Sequence, residues 1–189
     1  MLETPRLFLR PWQESDREPF HRMTADARVM EFFAGLLSRA ESDATINRIQ
    51  THFAQHGFGL FAAELRATGE FIGFAGLSRV PFEAHFTPSV EIDWTIAAAH
   101  WNQGLATEGA RECLRYAFQE LALPEVVAFT VPANLRSRRV MEKLGMSYSP
   151  ADDFQHPSLP EGHPLRPHVL YRIRLLQSQQ WCVLKDALF

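Results

Sequence analysis

Cysteine is nearly absent from this 189-residue chain: there are two, Cys113 and Cys182, far apart and in no metal-ligand spacing. That excludes a disulfide framework and a structural zinc site, and it suits a reducing compartment. An excess of one charge is also missing. Nineteen Lys and Arg against 22 Asp and Glu leave a formal −3, too little cationic field for a protein that coats nucleic acid. No stretch approaches the roughly 18–20 apolar residues that span a bilayer. Met1-Leu2-Glu3-Thr4-Pro5-Arg6 places an acid, a proline and an arginine where a secretory leader needs an apolar run. Ten glycines and 12 prolines, without a repeat, are too few for a collagen-like or low-complexity chain. What remains is a globular protein expected in the cytoplasm, with neither nucleic acid nor membrane as partner. It is expected as a single domain over 1–176 with a tail over 177–189. Trp181, Val183, Leu184, Leu188 and Phe189 make that tail too apolar to stand free in water. It packs on the body or on a partner chain, which leaves a homodimer open.

Periodicity supplies the elements. Residues 6–11 read as a first, edge strand ended by a proline. Ser15-Asp16-Arg17-Glu18 has the spacing of a capping box and starts a helix that runs to about Thr24. A second helical piece is predicted over 27–33 and a third over about 43–55, closed by His56-Gly57. Segments 60–66 and 71–80 flank the turn Ala67-Thr68-Gly69-Glu70 and so pair antiparallel. Over 90–96 polarity alternates: Val90, Ile92, Trp94 and Ile96 face one way, Glu91, Asp93 and Thr95 the other. Between 104 and 121 apolar residues recur every three or four positions, the stripe of an amphipathic helix. A buried strand follows over 126–131, then a helix over 132–144 stopped by Gly145, then late strands over 146–148 and 168–175. The expected class is α/β, a mixed sheet with helices on its faces.

Chemistry concentrates where the alternating strand meets the long helix, Ala97-Ala98-Ala99-His100-Trp101-Asn102-Gln103-Gly104-Leu105-Ala106-Thr107-Glu108. The first N–H groups of a helix lack intrahelical partners and carry about half a positive charge. A small-residue mouth lets a phosphate approach them without lysines, though the same stretch serves equally as a plain turn. Neither G-x-G-x-x-G nor G-x-x-x-x-G-K-[ST] occurs, which removes the main support for dinucleotide or nucleoside-triphosphate binding. Downstream, Asn134 and Ser137 are spaced to share a face of the next helix's first turn, where Asn134 also suits an N-cap. Arg136, Arg138, Arg139 and Lys143 form a basic run of the kind that is usually a solvated face. His156, His163 and His168 with Glu161 lie in a proline-broken loop, and no metal is expected there.

Residues 91–146 resemble the acetyl-coenzyme A binding core of the GNAT N-acetyltransferase superfamily. Its Q/R-x-x-G-x-G/A signature stands here as Trp101-Asn102-Gln103-Gly104-Leu105-Ala106, and its downstream element as Asn134, Ser137 and Lys143-Leu144-Gly145-Met146. The opening Leu2-Glu3-Thr4-Pro5-Arg6-Leu7-Phe8-Leu9-Arg10-Pro11 is similar to the RimJ/RimL-like branch, which includes acetyltransferases of ribosomal-protein N-termini. So is the closing segment around His163-Pro164-Leu165 and His168-Val169-Leu170-Tyr171. Trp101 departs from the common Arg or Gln, and Met141 stands at about the place of the tyrosine that serves many members as general acid.

The resemblance implies a mostly antiparallel sheet splayed at one parallel strand pair, with helices on both faces and acetyl-CoA as co-substrate. It puts the pyrophosphate on the amides of Asn102, Gln103, Gly104, Leu105, Ala106 and Thr107, and the pantetheine beside Trp94, Thr95 and Ile96. Asn134 joins the cofactor site, with Arg138 or Arg139 toward the 3′-phosphate. A primary amine attacks the thioester directly in a ternary complex, with Glu91 as base through water and Ser137 protonating the thiolate. Glu91 could equally be half of a structural ion pair. Phe32, Phe33, Phe82 and Phe86 line an acceptor pocket or belong to the core. A protein N-terminal α-amine leads as acceptor. A small-molecule amine (polyamine or antibiotic), a non-catalytic acyl-CoA sensor and an interaction protein without coenzyme A affinity stay open.

Overall fold

The computed structural model describes residues 1–175, so the tail over 177–189, Cys182 included, lies outside the described residues. Strands β1 (Leu2–Glu3) and β2 (Leu7–Arg10) form a hairpin that carries Leu7 and Leu9 into the core. A 3₁₀ turn over Glu14–Asp16 leads into α1 (Arg17–Thr24), and α2 (Arg39–His56) follows a loop. Ser38 opens α2 in a capping box with Glu41, and a left-handed Gly57 closes it. Then come β3 (Leu60–Leu65), β4 (Phe71–Arg79), β5 (Val90–Ile96), α3 (Leu105–Gln119), β6 (Glu125–Thr130) and α4 (Leu135–Lys143). Strands β7 (Ser147–Tyr148), β8 (Phe154–Gln155) and β9 (Pro167–Arg174) end the described chain.

The sheet runs β1-β2-β3-β4-β5-β6-β9-β7, with β8 also on β9. Every pairing is antiparallel except β5 with β6. Residues opposite one another in a sheet share a face, and this sorts the molecule into layers. Val90, Ile92 and Ile96 of β5 join Ala75 and Leu77 of β4 and Val126 and Ala128 of β6 under α3 and α4. On the other face, Phe74 of β4 packs with Phe20, Met23, Ile46 and Ile49 of α1 and α2. Further along that second face, Val127 of β6 and Leu170 of β9 pack with Phe86. Glu91, Asp93 and Thr95 lie opposite Ser78, Gly76 and Phe74, so they emerge on the second face between its two apolar clusters. At Gly73 a side chain would put Cβ 2.1 Å from the Thr95 carbonyl oxygen, so glycine is required for β4 to lie against β5 here.

Three expectations need correction. Residues 6–11 do not form an edge strand: β1, two residues long and too short to show alternation, pairs on the outer side of β2. The capping box before α1 sits earlier than Ser15, because Asp16 accepts from the Gln13 N–H at 2.8 Å. Residues 27–33 are turns rather than helix. Asp26 Oδ1 takes the Arg28 N–H at 2.9 Å as an N-cap does, and the Met30 N–H reaches the Asp26 carbonyl at 3.0 Å, but so short a piece has too few further bonds to offset nucleation.

Candidate active site

The two parallel strands are joined at a single register pair, Glu91 with Val127, and part beyond it. The Ala97 N–H donates to the Ile72 carbonyl on β4 at 2.8 Å. Successive peptide groups of a strand point to opposite edges, so those of Trp94 and Ile96 point into the gap. The Ile96 carbonyl accepts there from Trp101 Nε1 at 2.7 Å.

Two helices begin at the wide end of that gap. Before α3 the backbone turns through Asn102 at φ 60° and Gly104 at φ 79°, a left-handed conformation that costs other residues about 1–2 kcal/mol. Gly104 is the N-cap of α3 and no side chain caps the helix. Its first amides, from Leu105, Ala106 and Thr107 onward, are the groups an anion can take. The α4 start is built differently. Asn134 Oδ1 accepts from the Ser137 N–H at 3.2 Å, and Asn134 Nδ2 donates to Thr130 Oγ1 at 3.1 Å.

On the second face of β5, Glu91 and Asp93 are partly buried. Among the described residues neither is paired with a cation; Asp93 receives the Trp94 backbone N–H. Burial, then the neighbouring Asp93 charge, lifts the Glu91 carboxyl well above its ordinary value. Burial lifts that of Asp93 to about 6. The ion-pair alternative for Glu91 therefore has no partner among the described residues. Both carboxyls are thus pushed toward the protonated form by burial, Glu91 further by the charge of its neighbour.

Other expected residues have distinct settings. No hydrogen bond joins Ser137 to Glu91 among the described residues; Glu91 marks the narrow end of the gap and Ser137 lies in the first turn of α4. Arg138 donates to Tyr171 Oη at 3.2 Å and to the Pro132 carbonyl at 3.1 Å, while Arg139 pairs with Glu142 at 3.0 Å. Met141 is buried in the core under α4. Phe82 and Phe86 belong to an aromatic cluster with Phe129, Phe154 and His156, and Phe33 is exposed. His156 and His168 lie 5.0 Å apart between ring centroids in that cluster, and burial lowers both pKa values.

Arg136 escaped the sequence reading, which placed it in a basic run. Its guanidinium lies 4.5 Å from the Trp101 ring centroid and 2.6 Å from Glu31 Oε2. Trp101 follows β5 and Arg136 follows β6, so this contact bridges the gap and ties it to the loop after α1. No local signal announces a pairing across more than a hundred residues. Thr4 and Arg6 were read as part of a motif without a role; both bind Glu108 in the first turns of α3.

A sheet parted at one parallel pair and an uncapped helix start at its opening form a cleft with an anion-accepting mouth. Residues 6–147 match the model of the acetyltransferase (GNAT) domain. The chain belongs to that family, and it is an acetyl-CoA-dependent N-acyltransferase. It is 36% identical over 149 residues to the uncharacterized protein YkkB of Bacillus subtilis, across 78% of this chain and 86% of that one. It is 35% identical over 158 residues to an FsC-acetyl coenzyme A-N(2)-transacetylase of Aspergillus fumigatus, across 78% of this chain and 65% of that one. An acetyltransferase structure from Agrobacterium tumefaciens superposes with a TM-score of 0.75 at 26% identity, covering 92% of this chain and 94% of that one.

Proposed function

We propose that the enzyme acetylates α-amines, with a protein N-terminus as the leading acceptor. The observation that carries this is the Glu91–Asp93 pair, two carboxylates without a cationic partner among the described residues, on the face opposite α3. An amine must lose its proton before it attacks a thioester. For a lysine ε-amine near pKa 10.4 this costs about 4 kcal/mol at pH 7.4, and for an α-amine near 8 less than about 1. A carboxylate base of modest strength serves the second far better than the first. Glu91 takes that proton, through water, and Asp93 tunes it.

Acetyl-CoA fits the remaining groups. The amides of the 102–107 turn take the pyrophosphate, and Arg138 or Arg139 serves the 3′-phosphate. The peptide groups of Trp94 and Ile96, turned into the gap, receive the pantetheine as a sheet edge receives a strand. An N–H of that edge stabilises the charge that grows on the thioester oxygen. Ser137, at the start of α4, protonates the departing thiolate.

Thiol release tested over peptides with free N-termini, Nα-blocked lysine and polyamines separates the acceptors. Turnover concentrated on N-terminal peptides is expected, with kcat lowered about 100-fold in Glu91→Gln, a typical general-base contribution. Turnover confined to polyamines or lysine overturns the α-amine assignment, and acetyl-CoA binding without turnover on any amine indicates a sensor. A second acceptor class, a small molecule bearing an amine of lowered pKa, draws support from the Aspergillus relative, whose name specifies transfer to an N(2) position.

A further inference from the structure

Glu108 is held by three hydrogen bonds and one further ion-pair contact from one short segment. Thr4 Oγ1 donates at 2.6 Å, the Arg6 N–H at 2.9 Å, Arg6 Nε at 2.6 Å, and Arg6 Nη2 lies 2.6 Å from the second oxygen. These contacts, with burial opposing them, hold the Glu108 carboxyl below its ordinary range. The segment between β1 and β2 is thereby fastened to the first turn of α3. Arg6 also reaches further. Its Nη1 donates to the Gln103 carbonyl at 2.9 Å, and a Cβ at Gly104 would lie 3.6 Å from its Nη2.

The Gln103 contact has a stereochemical consequence. In a trans peptide the carbonyl of one residue and the N–H of the next point in opposite directions. With the Gln103 carbonyl drawn back onto Arg6, the Gly104 N–H is turned to the far side of the turn. The left-handed Asn102 and Gly104 then leave successive N–H groups to converge there, the arrangement that makes a concave anion site. We propose that Arg6, oriented by Glu108 and Thr4, is a positioning residue for the pyrophosphate of acetyl-CoA: it sets the 103–104 peptide plane so that the Gly104 amide faces the ligand. This rests on assigning the α3 start to that pyrophosphate. It also makes the first hairpin of the chain part of the cofactor site. A guanidinium bridges Glu108 and Gln103 with a rigid fork, whereas a lysine ammonium is a compact charge on a flexible stem and does not fix the same geometry.

The experiment compares two acetyl donors, acetyl-CoA and acetyl-pantetheine, which lacks the pyrophosphate, in wild type, Arg6→Ala, Arg6→Lys and Glu108→Gln. Expected for Arg6→Ala is a KM for acetyl-CoA raised about tenfold, the scale of one charge-assisted hydrogen bond. Its kcat should stay within about twofold and its KM for acetyl-pantetheine should not change, while Arg6→Lys and Glu108→Gln fall between it and wild type. Equal losses with both donors would mean that Arg6 only supports the fold, and a wild-type KM in Arg6→Lys would mean that charge alone acts; either result overturns the assignment. Should Arg6→Ala fail to fold, Arg6→Lys and Glu108→Gln carry the same comparison. A wild type that does not prefer acetyl-CoA to acetyl-pantetheine overturns the pyrophosphate site itself. A preference undiminished in all three variants overturns the role of Arg6 alone.

Discussion

Carboxylates leave water in two regions of this molecule and meet opposite treatment. Asp16, 1% exposed, accepts from Arg10 Nη1 at 2.7 Å, from Arg10 Nη2 at 2.8 Å and from the Gln13 N–H at 2.8 Å. The same guanidinium donates through Nε to Glu64 at 2.6 Å, and these bonds raise its already high pKa. One buried arginine thus joins β2, β3 and the entry to α1. On β5, Glu91 and Asp93 have no such cation among the described residues, and burial pushes both toward the protonated form. Desolvating a charge is unfavourable unless a partner offsets it. The first group is architecture; the second is a source of instability that chemistry can use.

The most damaging way to break this contrast is to remove the cation from the first group. Arg10→Met is expected to lower stability by about 3–5 kcal/mol, because it strands Asp16 in a place water cannot reach. Denaturant unfolding reads this directly. A loss no larger than that of an exposed ion pair would mean that the triad is only a surface contact.

The β5 pair should respond with the other sign. A folded pKa of about 6 for Asp93 against 3.8 means that the folded protein holds the proton more tightly than the unfolded chain. That contribution is complete below about pH 4 and is lost as pH rises through 6. Two units correspond to about 3 kcal/mol, trimmed by partial access to solvent. Asp93→Asn is therefore expected to gain about 2 kcal/mol at pH 8 and nothing at pH 4, while activity falls. Thermal melts at the two pH values check it; destabilisation at pH 8 would reveal a partner for Asp93 and end the contrast.

A smaller effect is expected at Gly104. An alanine Cβ would meet only Arg6 Nη2 at an ordinary 3.6 Å, so the cost of Gly104→Ala is conformational, about 1–2 kcal/mol. Gly104→Asn should cost less, because asparagine tolerates the left-handed region, as Asn102 already does. Unfolding of the two variants side by side tests that order.

How far the sequence foretold this depends on the range of each interaction. Alternation over Val90–Ile96 put Glu91 and Asp93 on the face away from the core because a strand's period is local and exact to the residue. The stripe of α3 was legible for the same reason. Whether Glu91 had an arginine was not, since an ion-pair partner can lie anywhere along the chain. The helix expected over 27–33 goes no further than a turn at Asp26, because so short a piece does not offset nucleation, which apolar spacing does not register. Arg136 on Glu31 and Arg6 on Glu108 join residues more than a hundred positions apart, and no local pattern encodes such a meeting. Met141, at about the place of an acidic tyrosine in relatives, proves to be core.

Asn134 allows the finest comparison, because it satisfies at α4 what α3 leaves open. Its Oδ1 holds the Ser137 N–H at 3.2 Å and its amide holds Thr130 Oγ1 at 3.1 Å. Asn134→Ala removes the cap and is expected to cost about 1 kcal/mol, with Asn134→Ser recovering most of it because a serine hydroxyl also accepts from that amide. α3 has no side-chain cap to lose, so no single deletion there has a matching effect; its first amides are completed by ligand or by water. Added acetyl-CoA should accordingly raise the melting temperature of the wild type, whose α3 start is the open one. A helix start that caps itself can be repaired within the chain, whereas one left open is stabilised from outside. If Asn134→Ala costs nothing measurable in the melt, the two helix starts are alike, and the absence of a cap on α3 stops being an argument for a ligand.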